Sequence, residues 1–145
     1  MAYNIIDNVI IVTNNYLLII IVDKFNNKMY YIFTFFIYLY FKSNQMKEEI
    51  FNQYVDRVVD LFKITREDFF KKSKKRNLVD ARHLVYYLCS ERNIKQISTT
   101  EFMGLNGYDI PHQTVLHGIK MVREKIKEDQ DYQSIIKEIN RAVFI

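Results

Sequence analysis

Two stretches of the chain carry residue types and spacing suited to chemistry on a polyanion. The first is Lys71-Lys-Ser-Lys-Lys-Arg76, five basic groups in six positions. Lys72, Lys74 and Lys75 are placed for phosphate contacts, which supply affinity and salt dependence but little sequence information. Taken alone, such a run also reads as a solvated loop. The second stretch is His112-Gln-Thr-Val-Leu-His117, followed by Lys120. The Gln113 amide can make two hydrogen bonds to adenine, and Thr114 offers a methyl to thymine or a hydroxyl to phosphate. His112, His117 and Lys120 can reach base edges or phosphates. Glu124 lies on the same stripe as His117 and would repel phosphate, so contact is expected to end near Lys120.

Other chemistry is missing. The only glycines are 104, 107 and 118, so there is no phosphate-cradling Gly-x-x-x-x-Gly-Lys-Ser/Thr. No Cys/His set has zinc spacing. His112 and His117 diverge by about 140° on a helix and do not chelate one metal. Cys89, the single cysteine, excludes an intramolecular disulfide, suits a reducing compartment and has no base at helical spacing. The expectation is a cytoplasmic protein that is not an enzyme, with no cofactor, no metal and no small-molecule substrate.

The elements that must position these residues are helical. Val115, Ile119, Val122 and Ile126 recur at helical spacing and form one apolar stripe, with Gln113, His117 and Lys120 opposite. Pro111 suits the first turn, and Asp109 is placed to cap it or to favour its positive end. A helix held by its back and displaying amide, imidazole and ammonium groups is the recognition helix of a helix-turn-helix. Before it, Glu101 to Leu105 predict a short helix capped by Ser98 or Thr99, with Asn106-Gly107 as the turn. A helix is expected over about Leu78 to Arg92. Its buried side is Leu78, Ala81, Leu84, Val85 and Leu88, and Arg82 and His83 lie toward its polar side. Cys89 is expected in the core. Thr65 and Asp68 open a short helix carrying Phe69 and Phe70. A first helix is expected over about Lys47 to Lys63, buried through Ile50, Tyr54, Val58 and Leu61 or Phe62. Asp129-Gln-Asp131 breaks the chain before a last helix bearing Ile135, Ile136 and Ile139. The fold class is all-α, a compact helical bundle over residues 46–145. Net charge is only +4, so the local cluster matters more than the total.

Residues 1–45 differ in composition. They hold eleven of the twenty-two Tyr and Phe residues but three of the twenty-one Lys and Arg. Apolar runs lie at 9–12, 16–22 and 29–41. One reading is a β-meander. A second is a membrane segment, although the thirteen residues of the last run fall short of the roughly twenty that span a bilayer. The third, which we favour here, is that an AT-rich reading frame has been translated and that Met46 is the natural start. If present, the segment is expected to form strands or poorly packed helix and to favour aggregation.

His112-Gln-Thr-Val-Leu-His117 resembles the His-Thr-Thr-Val-Leu-His signature of the C-terminal DNA-binding domain of the bacterial replication initiator DnaA. The resemblance extends back through Lys63-Ile-Thr-Arg-Glu-Asp-Phe-Phe70, Lys71 to Arg76 and Ala81-Arg82-His83, and forward to Ile126. It implies an all-helical module that binds short duplex sites, with Arg76 matching the family's minor-groove arginine. Arg82-His83 stands where the family commonly has Arg-Gln, used on phosphate and base edges. Gly107-Tyr-Asp-Ile-Pro111 replaces the family's Gly-Gly-Arg-Asp. The expected function is sequence-specific binding of double-stranded DNA in replication or transcription control, in a phage or mobile element. The alternatives are a module whose basic loop meets an acidic protein partner, and a membrane-tethered DNA binder if residues 1–45 insert.

Overall fold

The computed structural model describes the backbone of residues 9–13, 16–20 and 27–143 and the side chains of residues 36–143. In chain order its elements are strands β1 (Val9–Thr13) and β2 (Tyr16–Ile20), then helices α1 (Asn27–Phe62), α2 (Arg66–Phe70), α3 (Arg76–Glu91), α4 (Gln96–Leu105), α5 (His112–Glu128) and α6 (Gln130–Ala142). The chain divides into two units, Met1–Gln45 and Met46–Ile145.

In the first unit, the first two apolar runs pair as an antiparallel hairpin, with Val9 opposite Ile20 and Thr13 opposite Tyr16. The third run is helical, and α1 therefore begins at Asn27 rather than near Lys47. The run is continuous rather than alternating and too long for an ordinary strand, and no Pro or Gly separates it from the amphipathic stretch that follows. Phe36, Tyr40 and Phe41 stand 60–65% exposed, an unusual state for aromatic side chains. Among the described residues, no helix is long and apolar enough to cross a membrane.

The second unit is all-α. Ile50, Phe51, Tyr54, Val55, Val58 and Val59 of α1 are buried, and Phe62 rather than Leu61 continues the packed side. Thr65 caps α2 through a 3.1 Å bond from the Asp68 amide, and α2 buries Phe69. Helix α3 packs against α2, α4 and α5, so its buried arc is wide and takes in Tyr86 as well as Leu78, Ala81, Leu84, Val85, Leu88 and Cys89. Burial pushes the Cys89 thiol up to about 12, which leaves it protonated and unreactive near neutral pH.

Three helices end by one device. Lys63, Asn93 and Gly107 adopt left-handed backbone at φ 52°, 58° and 85°. After each, the next amide reaches back five residues: Ile64 to the Val59 carbonyl, Ile94 to Cys89 and Tyr108 to Met103. These are Schellman closures, which satisfy the last carbonyls and turn the next residue back onto the core. The Asn93 closure lets α4 start at Gln96, earlier than the sequence pattern implied. Ser98 and Thr99 therefore lie within α4 and do not cap it, and the Thr99 hydroxyl bonds the Lys95 carbonyl instead.

The far end of the bundle is tied by Arg92. Its guanidinium donates to the Tyr54 hydroxyl at 3.0 Å and to the carbonyls of Asn140 and Val143 at 3.1 and 3.0 Å. The Tyr54 hydroxyl in turn donates to Asn140 Oδ1 at 2.6 Å.

Every core residue among those described lies between Ile50 and Val143. Residues 46–145 produced alone should therefore melt cooperatively. They should also stay monodisperse at concentrations where the full chain, with Phe36 to Phe41 exposed, associates. A thermal melt and size-exclusion chromatography of both lengths check this, and a non-cooperative melt of 46–145 would mean that residues 1–45 contribute to its core.

Candidate nucleic-acid interface

Helix α5 buries Val115, Gly118, Ile119 and Val122, and leaves His112, Gln113, His117 and Lys120 exposed. Thr114 and Ile126 are half-buried. The apolar stripe thus faces the core, and the polar stripe faces outward as the spacing predicted. The start of α5 differs from expectation. Pro111 is the residue just before the helix, its carbonyl takes the Thr114 amide at 3.0 Å, and no side chain caps the helix. Asp109 lies two residues further back and makes no cap. Six residues, 106–111, join α4 to α5.

Gly118 sets how closely α5 approaches α3. A Cβ there would lie 2.7 Å from His83 Cδ2 and 2.8 Å from Tyr86 Cδ2. His83 is half-buried in this crossing, its ring edge-on to that of His117 with centroids 5.8 Å apart. Burial first, and then the neighbouring His117, push the His83 pKa below its ordinary value, which favours the neutral imidazole. Lys125 of α5 pairs with Asp80 of α3 at 3.1 Å. Gly118→Ala should lower the melting temperature. Alanine favours helix by about 1 kcal/mol, but overpacking a filled crossing costs about 1–3 kcal/mol. A melt at or above that of the parent chain would show that the two helices separate freely.

The basic stretch spans the end of α2, the following loop and the first residue of α3. Lys71, Lys72, Lys74, Lys75 and Arg76 are all exposed. Arg76 is the first residue of α3 rather than part of the loop, since α3 begins two residues before the expected Leu78. Helices α3, α4 and α5 all lack an acidic residue in the first turn and a side-chain cap, whereas α2 and α6 have both. Basic side chains at an uncapped helix start oppose the helix dipole, and an anion there would relieve the conflict.

Arg82 corrects the sequence reading most sharply. It was expected toward the polar side and in contact with DNA, but it is 2% exposed. Its Nε donates to the Phe69 carbonyl at 2.7 Å and Nη1 to the Ser73 carbonyl at 2.8 Å. Nη2 donates to the carbonyls of Lys71 and, more weakly, Asp68. Its guanidinium carbon lies 4.4 Å from the ring centre of Tyr108, in the turn before α5. A single buried side chain therefore touches both the basic loop and the α4–α5 turn, which places those two surfaces side by side.

The site includes residues that the sequence reading missed. Leu116, 46% exposed, and Arg123 lie on the outward side of α5 beside Gln113 and Lys120. The same helical spacing that placed Gln113 would have found both. Among the described residues, no group of three or more His, Cys, Asp or Glu is arranged to hold a metal ion.

No protein-family model matches the chain. It is similar to chromosomal replication initiator proteins DnaA from several bacteria. The protein of Lachnoclostridium phytofermentans is 30% identical over 90 residues, which cover 59% of this chain and 19% of the relative. That of Flavobacterium psychrophilum is 27% identical over 99 residues, covering 68% and 20%. That of Bacteroides thetaiotaomicron is 29% identical over 96 residues, covering 66% and 20%. The chain thus spans about a fifth of the length of these relatives, and it is distantly similar to that part of a DnaA initiator.

Proposed function

We propose that this chain binds double-stranded DNA sequence-specifically, with α4 and α5 as a helix-turn-helix and α5 in the major groove. The observation that carries this reading is the juxtaposition made through Arg82. The exposed lysines and Arg76 lie beside the turn that starts α5, whose outward face displays His112, Gln113, His117 and Lys120. On this reading α5 meets base edges while the basic stretch meets the flanking phosphates, with Arg76 directed to the neighbouring minor groove. The uncapped starts of α3 and α5 supply further backbone amides for phosphate. His83, held neutral and half-buried, can offer one hydrogen bond but serves first as packing for α5. Arg82 leaves the list of DNA contacts.

The likeness to a replication initiator supports a role in replication or transcription control, such as marking an origin or competing with a host initiator for its sites. The test is a selection of bound duplexes from a random pool. Enrichment of a short common site supports the reading. Retention of duplexes without a common site reduces it to non-specific binding, and failure to retain any would favour an acidic protein partner for the lysines.

A further inference from the structure

We propose that Arg82 is a positioning residue that holds the basic loop in register with the helix that reads DNA; the proposal rests on the DNA-binding reading above. A buried guanidinium is costly unless its donors are matched. Among the described residues, the hydrogen bonds of Arg82 all go to backbone carbonyls, those of Asp68, Phe69, Lys71 and Ser73. Those carbonyls lie at the C-terminal end of α2 and in the loop after it, where the backbone presents partial negative charge. Backbone, not side chain, is what Arg82 grips.

That choice has a consequence for the loop. Lys71, Lys72, Lys74 and Lys75 repel one another, and a loop carrying them has every electrostatic reason to spread. Holding it by its carbonyls fixes its path and leaves each ammonium group facing solvent. The same guanidinium lies over the Tyr108 ring, one residue after the left-handed Gly107. The loop and the start of α5 thus share one fixed point. If the loop lies on phosphates while α5 reads bases, Arg82 sets the distance between the two contacts without touching DNA. Lysine keeps the charge but lacks the planar fork, so it cannot bond several diverging carbonyls at once.

The experiment is a double-mutant cycle on the full chain between Arg82→Lys and the triple change of Lys74, Lys75 and Arg76 to Ala, read as the salt dependence of duplex binding. In the parent chain the triple change should reduce the log–log salt slope by roughly 1.8, the share of its two lysine–phosphate contacts. In Arg82→Lys the same change should reduce it by less than half as much, because the loop no longer lies on phosphate. The ratio of specific to random affinity should fall about tenfold in Arg82→Lys alone, a readout that unchanged loop geometry would not move. Equal reductions in both backgrounds overturn the proposal. If Arg82→Lys fails to melt cooperatively, Tyr108→Leu decides. It keeps the carbonyl bonds, so the slope should persist while the specific-to-random ratio falls about tenfold; an unchanged ratio overturns the proposal. A parent chain that binds no duplex overturns the DNA-binding reading and this proposal with it. A parent chain that binds, with additive variants, overturns this proposal alone.

Discussion

Replacing Lys74, Lys75 and Arg76 together by alanine should weaken binding to every duplex, specific or random, and flatten its salt dependence. Each phosphate contact contributes roughly 0.9 to the slope of log affinity against log salt, so the two lysine contacts amount to about 60-fold at 0.1 M salt relative to a 1 M reference, and loss of Arg76 from the minor groove adds to it. All three side chains are exposed, and the fold should survive their loss. Two of them, Lys75 and Arg76, lie at the start of α3, where positive charge opposes the helix dipole. The triple variant should therefore melt at or slightly above the temperature of the parent, which separates lost binding from lost structure. An unchanged salt slope would place the loop away from DNA and favour an acidic protein partner.

The second large effect is on stability. Arg92→Ala removes the group that donates to the Tyr54 hydroxyl and to the carbonyls of Asn140 and Val143. Hydrogen bonds from charged donors are worth about 1.5–3 kcal/mol each in buried sites. Arg92 is half-buried, and water can reach part of this cluster, so the net cost should be about 2 kcal/mol. For a unit of this size that is a fall in melting temperature of roughly 10 °C. The loss should release α6 first, visible as faster amide exchange over residues 130–142. A melt within about 1 °C of the parent would mean that α6 is held by Ile136 and Ile139 alone.

The features legible in the sequence are those set by local periodicity. The stripe of Val115, Ile119 and Val122, the Thr65 cap, the break at Asp129 and the burial of Cys89 all follow from spacing or residue type, and the structure shows each of them. The features that escaped depend on distant partners. Arg82 looked polar because α3 was read as having one narrow buried stripe. Helix α3 is instead central, and its buried arc reaches position 82, where carbonyls from residues 68–73 satisfy the guanidinium. Nothing within a helical turn of Arg82 announces those acceptors. The early start of α1 escaped for a different reason. Runs of Tyr, Phe and Ile fit strand and helix alike, and the same composition makes strands at 9–13 and 16–20 but helix from Asn27. Asp109 and Pro111 show how a boundary shift of two residues moves a cap: with Pro111 just before the helix, Asp109 is out of reach.

The proposal that α5 reads sequence is tested most directly by Gln113→Ala, titrated against its preferred duplex and against random duplex. Gln113 is exposed opposite buried Val115 and Ile119, so the variant should fold as the parent does, within about 0.5 kcal/mol. Val115→Ala, by contrast, should destabilise the domain through its core by about 1–3 kcal/mol. Loss of a two-bond contact to adenine should cost Gln113→Ala about 1–3 kcal/mol on the preferred site. It should cost almost nothing on random DNA, where phosphates carry the affinity. Equal weakening on both duplexes, or none on either, would contradict sequence reading by this helix through Gln113.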